Sequence, residues 1–510
     1  MEQNGLMVDL VTLPDTTERQ VRFIEETEPG GIIDATIEKL RVGHSAESLL
    51  AAAGIAVSRS TELPPDHHGG PIHPVAGLHA VCHLANRLTG EKRFLPVVQN
   101  VALANKHIHS PEMGPTAMPS VEPLVNKSKD ELIKGFADAL KERKPRDAER
   151  HLVTLLPMAS PGELLETLLV VGLPRNSLDD HYFLYPVYCT RALDDIGWEW
   201  ASVLLRPPVR YLATHPMLEP IGEFKPDVVA ESVRHYQHFD EVERLIDERD
   251  LTRDTLSLER RESEDDAVVA LAQQIGAVSD IRTIGVILAD AVQSGLSLQA
   301  TAEALSAGGA MLFLRSHSGN PFDVHIHTGI NARRYVLNLN GISLRTKLLT
   351  LLGWCLGTEV RYLNSTLRWS IRTDSQTIAS LPKRNQSDLL SAIADGISDV
   401  PVIDLDKITV SVDDLVAPAQ VQNCIALAQQ YTDLGYDPDP LFALMAELVC
   451  HDDQTEMHAY KLQQATFEEY HNTCEPCRWV HMVSAVKHAA CIVQMHPKTV
   501  YPRAHKLLSS

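Results

Sequence analysis

The chain has 510 residues, 44% of them hydrophobic and 22% charged, with a net charge of −21. That length suits about two to four domain-sized units or one large helical array, and so acidic a chain repels phosphate backbones, which argues against a nucleic-acid partner. No stretch approaches the roughly 18 uncharged apolar residues of a membrane span, and MEQNGLMVDLVTLPD carries neither the basic nor the apolar segment of a secretory signal, so a cytoplasmic protein with free thiols is expected.

Residues 1–30 read as a polar N-terminal arm, and the pattern from Ile32 to about Ser58 as one amphipathic helix. A histidine-rich stretch follows, then an apolar helix over 94–110 and a Pro-rich connection over 111–123. Helical periodicity resumes at 129–144 and 161–173 and continues through 175–216. These segments form an N-terminal half, 31–223. Residues 224–266 are dense in Glu, Asp and Arg and read as a charged helix and linker. A second helical half, 267–510, is interrupted by β-branched residues that predict a short β excursion near 402–412. The expected fold class is all-α, an irregular array of duplicated helix–loop–helix units.

Asp66 to His83, DHHGGPIHPVAGLHAVCH, holds five of the 23 histidines: His67, His68, His73, His79 and His83. A Gly/Pro-broken loop leads to His73, and Pro74 then opens a helical run with His79 and His83 at i, i+4, on one face. The segment beginning at His73 can be laid on that beginning at His325, and each follows a Gly/Pro turn. Weaker copies begin at His181 and His481. In each, a histidine is expected at the first position of an apolar helix, and three copies have a short helix upstream. Such junction histidines are expected to converge on one pocket.

Imidazole is the commonest metal ligand and general base near neutrality. H-A-V-C-H at His79 to His83 lacks the glutamate of the HExxH metalloproteases. The H-x-H pairs His107/His109 and His325/His327 lie at predicted breaks; on a continuous helix their side chains would point about 200° apart. Asp180 puts a carboxylate beside His181. Glu456 and His458 open another polar cluster. The lone CEPC at 474–477 cannot complete a four-thiolate zinc site and reads as a helix-start turn. Nucleotide-binding loops and the G-x-S-x-G elbow are missing from the sequence.

H-P-x-x-G-L-x-A at His73, D-H-Y at Asp180, H-x-H-T-G-x-N-A at His325 and M-H-A-Y-K at Met457 together resemble the questin-oxidase-like group of His-rich helical proteins, and helical regions fused to Rieske-type domains in bacterial proteins. The resemblance implies an oxidase or oxygenase acting on a small cyclic or aromatic metabolite. The sequence has no Rieske cluster, so electrons would come from an external donor. The expectation is a metal-dependent oxidoreductase, with non-haem iron on His73, His181, His325 and His327. His79 and Asp180 would assist, and Tyr182 and Tyr185 would line the pocket. The rival readings are cofactor-free or hydrolytic catalysis by histidine bases, and a scaffold whose histidines merely cap helices.

Overall fold

The computed structural model describes residues 12–64, 69–176, 180–214, 238–253, 256–317, 324–357, 360, 363–404 and 418–509. Within the stretch expected to be a polar arm, Asp15–Glu26 form helix α1. Its few apolar residues suffice because Val21 and Ile24 share one face and are fully buried. The apolar pattern over 32–58 is two helices, α2 (Ile32–Arg41) and α3 (Ala46–Ser60). Gly43 breaks it at φ +95°, and Ser45 caps α3 by accepting from Ser48 N–H. The buried Arg59 of α3 then binds Glu18 and Glu25, which fastens α1 down.

The chain continues through α4 (His73–Ala76), α5 (Leu78–Arg87), α6 (Phe94–Ile108), α7 (Lys129–Lys141), α8 (Pro145–Leu155), α9 (Pro161–Gly172), α10 (His181–Ile196), α11 (Ala201–Leu204) and α12 (Arg206–Thr214). Past a helical segment at 238–248 come α13 (Asp265–Gly276), α14 (Ile284–Gln293), α15 (Leu298–Arg315), α16 (His325–Asn338), α17 (Leu344–Leu352), α18 (Ser375–Ser380) and α19 (Gln386–Ser398). The last group is α20 (Pro418–Asp433), α21 (Pro438–Leu448), α22 (His458–His471), α23 (Glu475–Ile492) and α24 (Val500–Leu508). The fold is all-α. Among the described residues the β structure is one two-stranded parallel sheet, Ile403–Asp404 against Met495–His496, and one isolated bridge. The first strand lies in the expected β excursion, whose residues from 405 onward fall outside the described set.

Four helix pairs repeat one plan. The helices α3, α9, α15 and α21 each start at a capping side chain: Ser45, Ser160, Ser297 and Asp437. Each is followed by a helix beginning at a histidine: α4, α10, α16 and α22. The helix α15 is buried almost all round, as a helix apolar on every side must be. A Cβ on its Gly308 would come within 2.6 Å of Ile275, and one on Gly309 within 2.5 Å of Ile330. The glycines let α13 and α16 pack directly on its backbone. Among the described residues no helix is long and apolar enough to cross a membrane.

Candidate metal centre

The first residues of α4, α10, α16 and α22 are His73, His181, His325 and His458, all buried. Left-handed backbone just ahead of three of these helices sets the entry: Gly69 at φ +114°, Asp180 at +60° and Met457 at +69°. Gly69 is obligatory, since a Cβ there would lie 1.9 Å from the Tyr185 hydroxyl.

The four rings converge. Ring centres stand 5.3 Å apart for His73–His181, 4.7 Å for His73–His458, 5.3 Å for His181–His325, 5.1 Å for His325–His458 and 5.9 Å for His181–His458. Imidazoles bound to one ion at about 2.1 Å place their ring centres roughly 4.6–5.3 Å apart, for ligand angles of about 90–110°. Ring nitrogens of His73, His181 and His458 all lie within 4.8 Å of one another. Two nitrogens on one ion are separated by at most about 4.2 Å, so the three rings stand close to the spacing of a shared ion and would have to draw together slightly to hold one.

The surroundings prepare two of these rings as ligands. His458 Nδ1 donates to Thr455 O at 2.7 Å, and its Nε2 has no hydrogen-bond partner among the described residues. This is the outer-shell arrangement that fixes a metal-binding tautomer. His73 Nδ1 is 2.7 Å from Glu456 Oε2, a contact more electrostatic than well-directed, while its Nε2 is 3.0 Å from the Tyr185 hydroxyl. The Tyr185 ring stacks on His181 at 4.3 Å. Burial pushes His73 down to about 4, against the pull of Glu456, and holds His458 well below the ordinary histidine value. Both rings are therefore neutral at pH 7, with a lone pair to give. The Glu456 carboxyl sits at about 2: burial opposes this, but His73 and His107 outweigh it. Glu456→Gln is expected to weaken metal binding by about 10–100-fold, since it removes the carboxylate that orients His73; a chelator-competition titration measures this.

The other expected residues are placed elsewhere. The Asp180 carboxylate is gripped by Arg333 through two bonds, 2.7 and 3.0 Å, and also accepts from Asn176. His327 lies on the far side of α16 from His325, because the H-x-H pair sits on continuous helix. It faces Phe313 at 5.0 Å and His481 at 6.2 Å. His481, aligned as the fourth copy, is the seventh residue of α23 and does not begin a helix. The fourth helix start is His458. Its turn, Thr455-Glu456-Met457, reaches positive φ at Glu456 and Met457 without glycine or proline, so the signal that marked the other loops is missing. The pair His107/His109 also divides: His107 is 3.6 Å from Glu456 and His109 meets Glu25 O at 3.1 Å. Cys474 is the N-cap of α23 with Pro476 in its first turn, as expected of CEPC. His67 and His68 lie outside the described residues.

Tyr182 and Tyr185 stand 4.9 and 5.1 Å from the ring of Tyr211. Tyr211 lines a cleft of 180 Å³ together with Ile72, the residue before His73. Tyr185 thus spans from the wall of the cleft to the histidines. No family model, no curated protein and no solved structure matches the chain. Its function must be argued from these residues.

Proposed function

We propose that the protein is a metal-dependent oxidoreductase of the cytoplasm, with a transition ion on His73, His181 and His458 and with His325 at the edge of the set. The supporting observation is the meeting of four buried helix-start histidines, with four ring separations of 4.7–5.3 Å that match shared coordination and a wider one of 5.9 Å between His181 and His458. Neutral imidazoles suit iron, copper or zinc. Iron, and the oxidase or oxygenase class, are preferred on the resemblance to the questin-oxidase-like group. The ion would act as a Lewis acid with an open position for substrate or dioxygen. The cleft beside Tyr211, backed by Tyr182 and Tyr185, suits a small cyclic or aromatic substrate. An external donor supplies electrons.

The test is metal analysis of freshly purified protein. Stoichiometric iron is expected in the wild type and its loss in His73→Ala. His325→Ala is expected to keep a reduced content, since three ligands remain. A metal-free wild type, or His73→Ala with unchanged content, overturns the reading. The hydrogen bond between His73 and Tyr185 also suits a general base acting without metal; activity that survives exhaustive chelation would favour that alternative.

A further inference from the structure

The same helices that begin at the histidine cluster carry a second constellation further along. On α5, His79 and His83 lie one turn apart with ring centres 4.4 Å from each other. Asp195, in the last turn of α10, reaches both: Oδ2 is 2.7 Å from His79 Nδ1 and Oδ1 is 3.1 Å from His83 Nε2. Ligand atoms of these three residues all lie within 4.8 Å of one another. By helical rise, Asp195 stands roughly 20 Å along α10 from His181, so this group is separate from the first.

We propose that His79, His83 and Asp195 form a second metal site, for a zinc-class divalent ion, which staples α5 to α10. Three observations point to a cation here. First, the residue types and spacing are those of a two-histidine, one-carboxylate ligand set presented by a helix face. Second, Asp195 lies at the C-terminal end of α10, where the helix dipole is unfavourable to an anion and favourable to a cation. Third, His79 has an outer carboxylate in place. Its Nε2 is 2.6 Å from Glu468 Oε1, and Arg191, Gln464 and Asn331 in turn hold Glu468.

Nε2 of His79 is 2.6 Å from both Glu468 Oε1 and Arg191 Nη2. An ion on Nδ1 would leave the single ring proton on Nε2 for Glu468 to accept, the carboxylate–histidine–metal order that raises ligand basicity, and Arg191 would then turn from Nε2 to its bonds with Glu468 and Asn331. The charge also suits a dication: neutral rings with Asp195, Glu468 and Arg191 sum to one negative charge. Side-chain exposures of 14% for His79, 42% for His83 and 21% for Asp195 leave the site open to solvent ions. In the alternative, His79 is simply an imidazolium bridging Asp195 and Glu468.

The experiment is a zinc titration of chelator-stripped protein, repeated with cobalt for its visible absorption. The wild type is expected to take up zinc at a class of site that His83→Asn and Asp195→Asn each weaken by about 100-fold or more, while His458→Ala leaves that class intact. Zinc is also expected to raise the melting temperature of His458→Ala but not of the double variant His458→Ala/His83→Asn. If adding His83→Asn or Asp195→Asn to His458→Ala leaves its zinc titration unchanged, or if stripped His458→Ala takes up no zinc, the site does not exist. Either result is independent of the buried cluster, which His458→Ala has already disabled.

Discussion

Replacing His458 by Ala is expected to reduce the metal content of the buried centre from stoichiometric to background, whereas His481→Ala leaves it at the wild-type level. The two residues are the decisive pair because they compete for the fourth place in the repeat. His458 begins α22, its Nδ1 is held by Thr455 O at 2.7 Å, and its Nε2 is left to the cluster. His481 lies within α23 and its Nε2 meets the Thr473 hydroxyl at 3.2 Å. Loss of an outer-shell partner costs about 10–100-fold in metal affinity, so loss of a ligand should cost more than about 100-fold. Elemental analysis and an optical titration of both variants, with circular dichroism to confirm folding, provide the measurement. Equal retention of metal by both variants would remove His458 from the ligand set.

The helices were legible because their signals are local. Apolar periodicity marked α6 and α9. Gly43 was legible only as a glycine, since its left-handed conformation depends on how α2 and α3 pack. The junction histidines were readable where a Gly/Pro turn precedes them, as at His73 and His325. They were unreadable at His458, where non-glycine residues Glu456 and Met457 adopt positive φ. Such strained positions persist only when tertiary contacts hold them. Here the Glu456 carboxylate is itself engaged by His73, from the other end of the chain. The role of Asp180 was hidden for the same reason. Its neighbour in sequence, His181, suggests a shared ligand set, but its partner Arg333 is 153 residues away.

Arg333→Met is expected to destabilise the protein by about 3–5 kcal/mol, the cost of leaving a buried charge without its partner. Both members of the pair are buried, with side-chain exposures of 1% for Arg333 and 6% for Asp180. Arg333 also donates to Thr350 O at 2.8 Å and Gly329 O at 3.0 Å, and its guanidinium covers the Phe183 ring at 4.3 Å. Asp180→Asn is the matching change on the other side, because Asn tolerates the left-handed φ of +60° at that position. It should destabilise by a comparable amount by stranding the guanidinium. The double variant should lose clearly less than the sum of the singles, since neither charge is then orphaned. Urea denaturation of the four proteins gives the coupling energy; singles costing under about 1 kcal/mol would show the pair to be dispensable. The pair matters to the site because of what it joins. Arg333 lies eight residues beyond His325 on α16, and Asp180 immediately precedes His181 on α10. Their ion pair therefore locks the second and third repeats together at the point where the rings of His181 and His325 stand 5.3 Å apart. The carboxylate beside the cluster thereby holds two of the imidazoles in register.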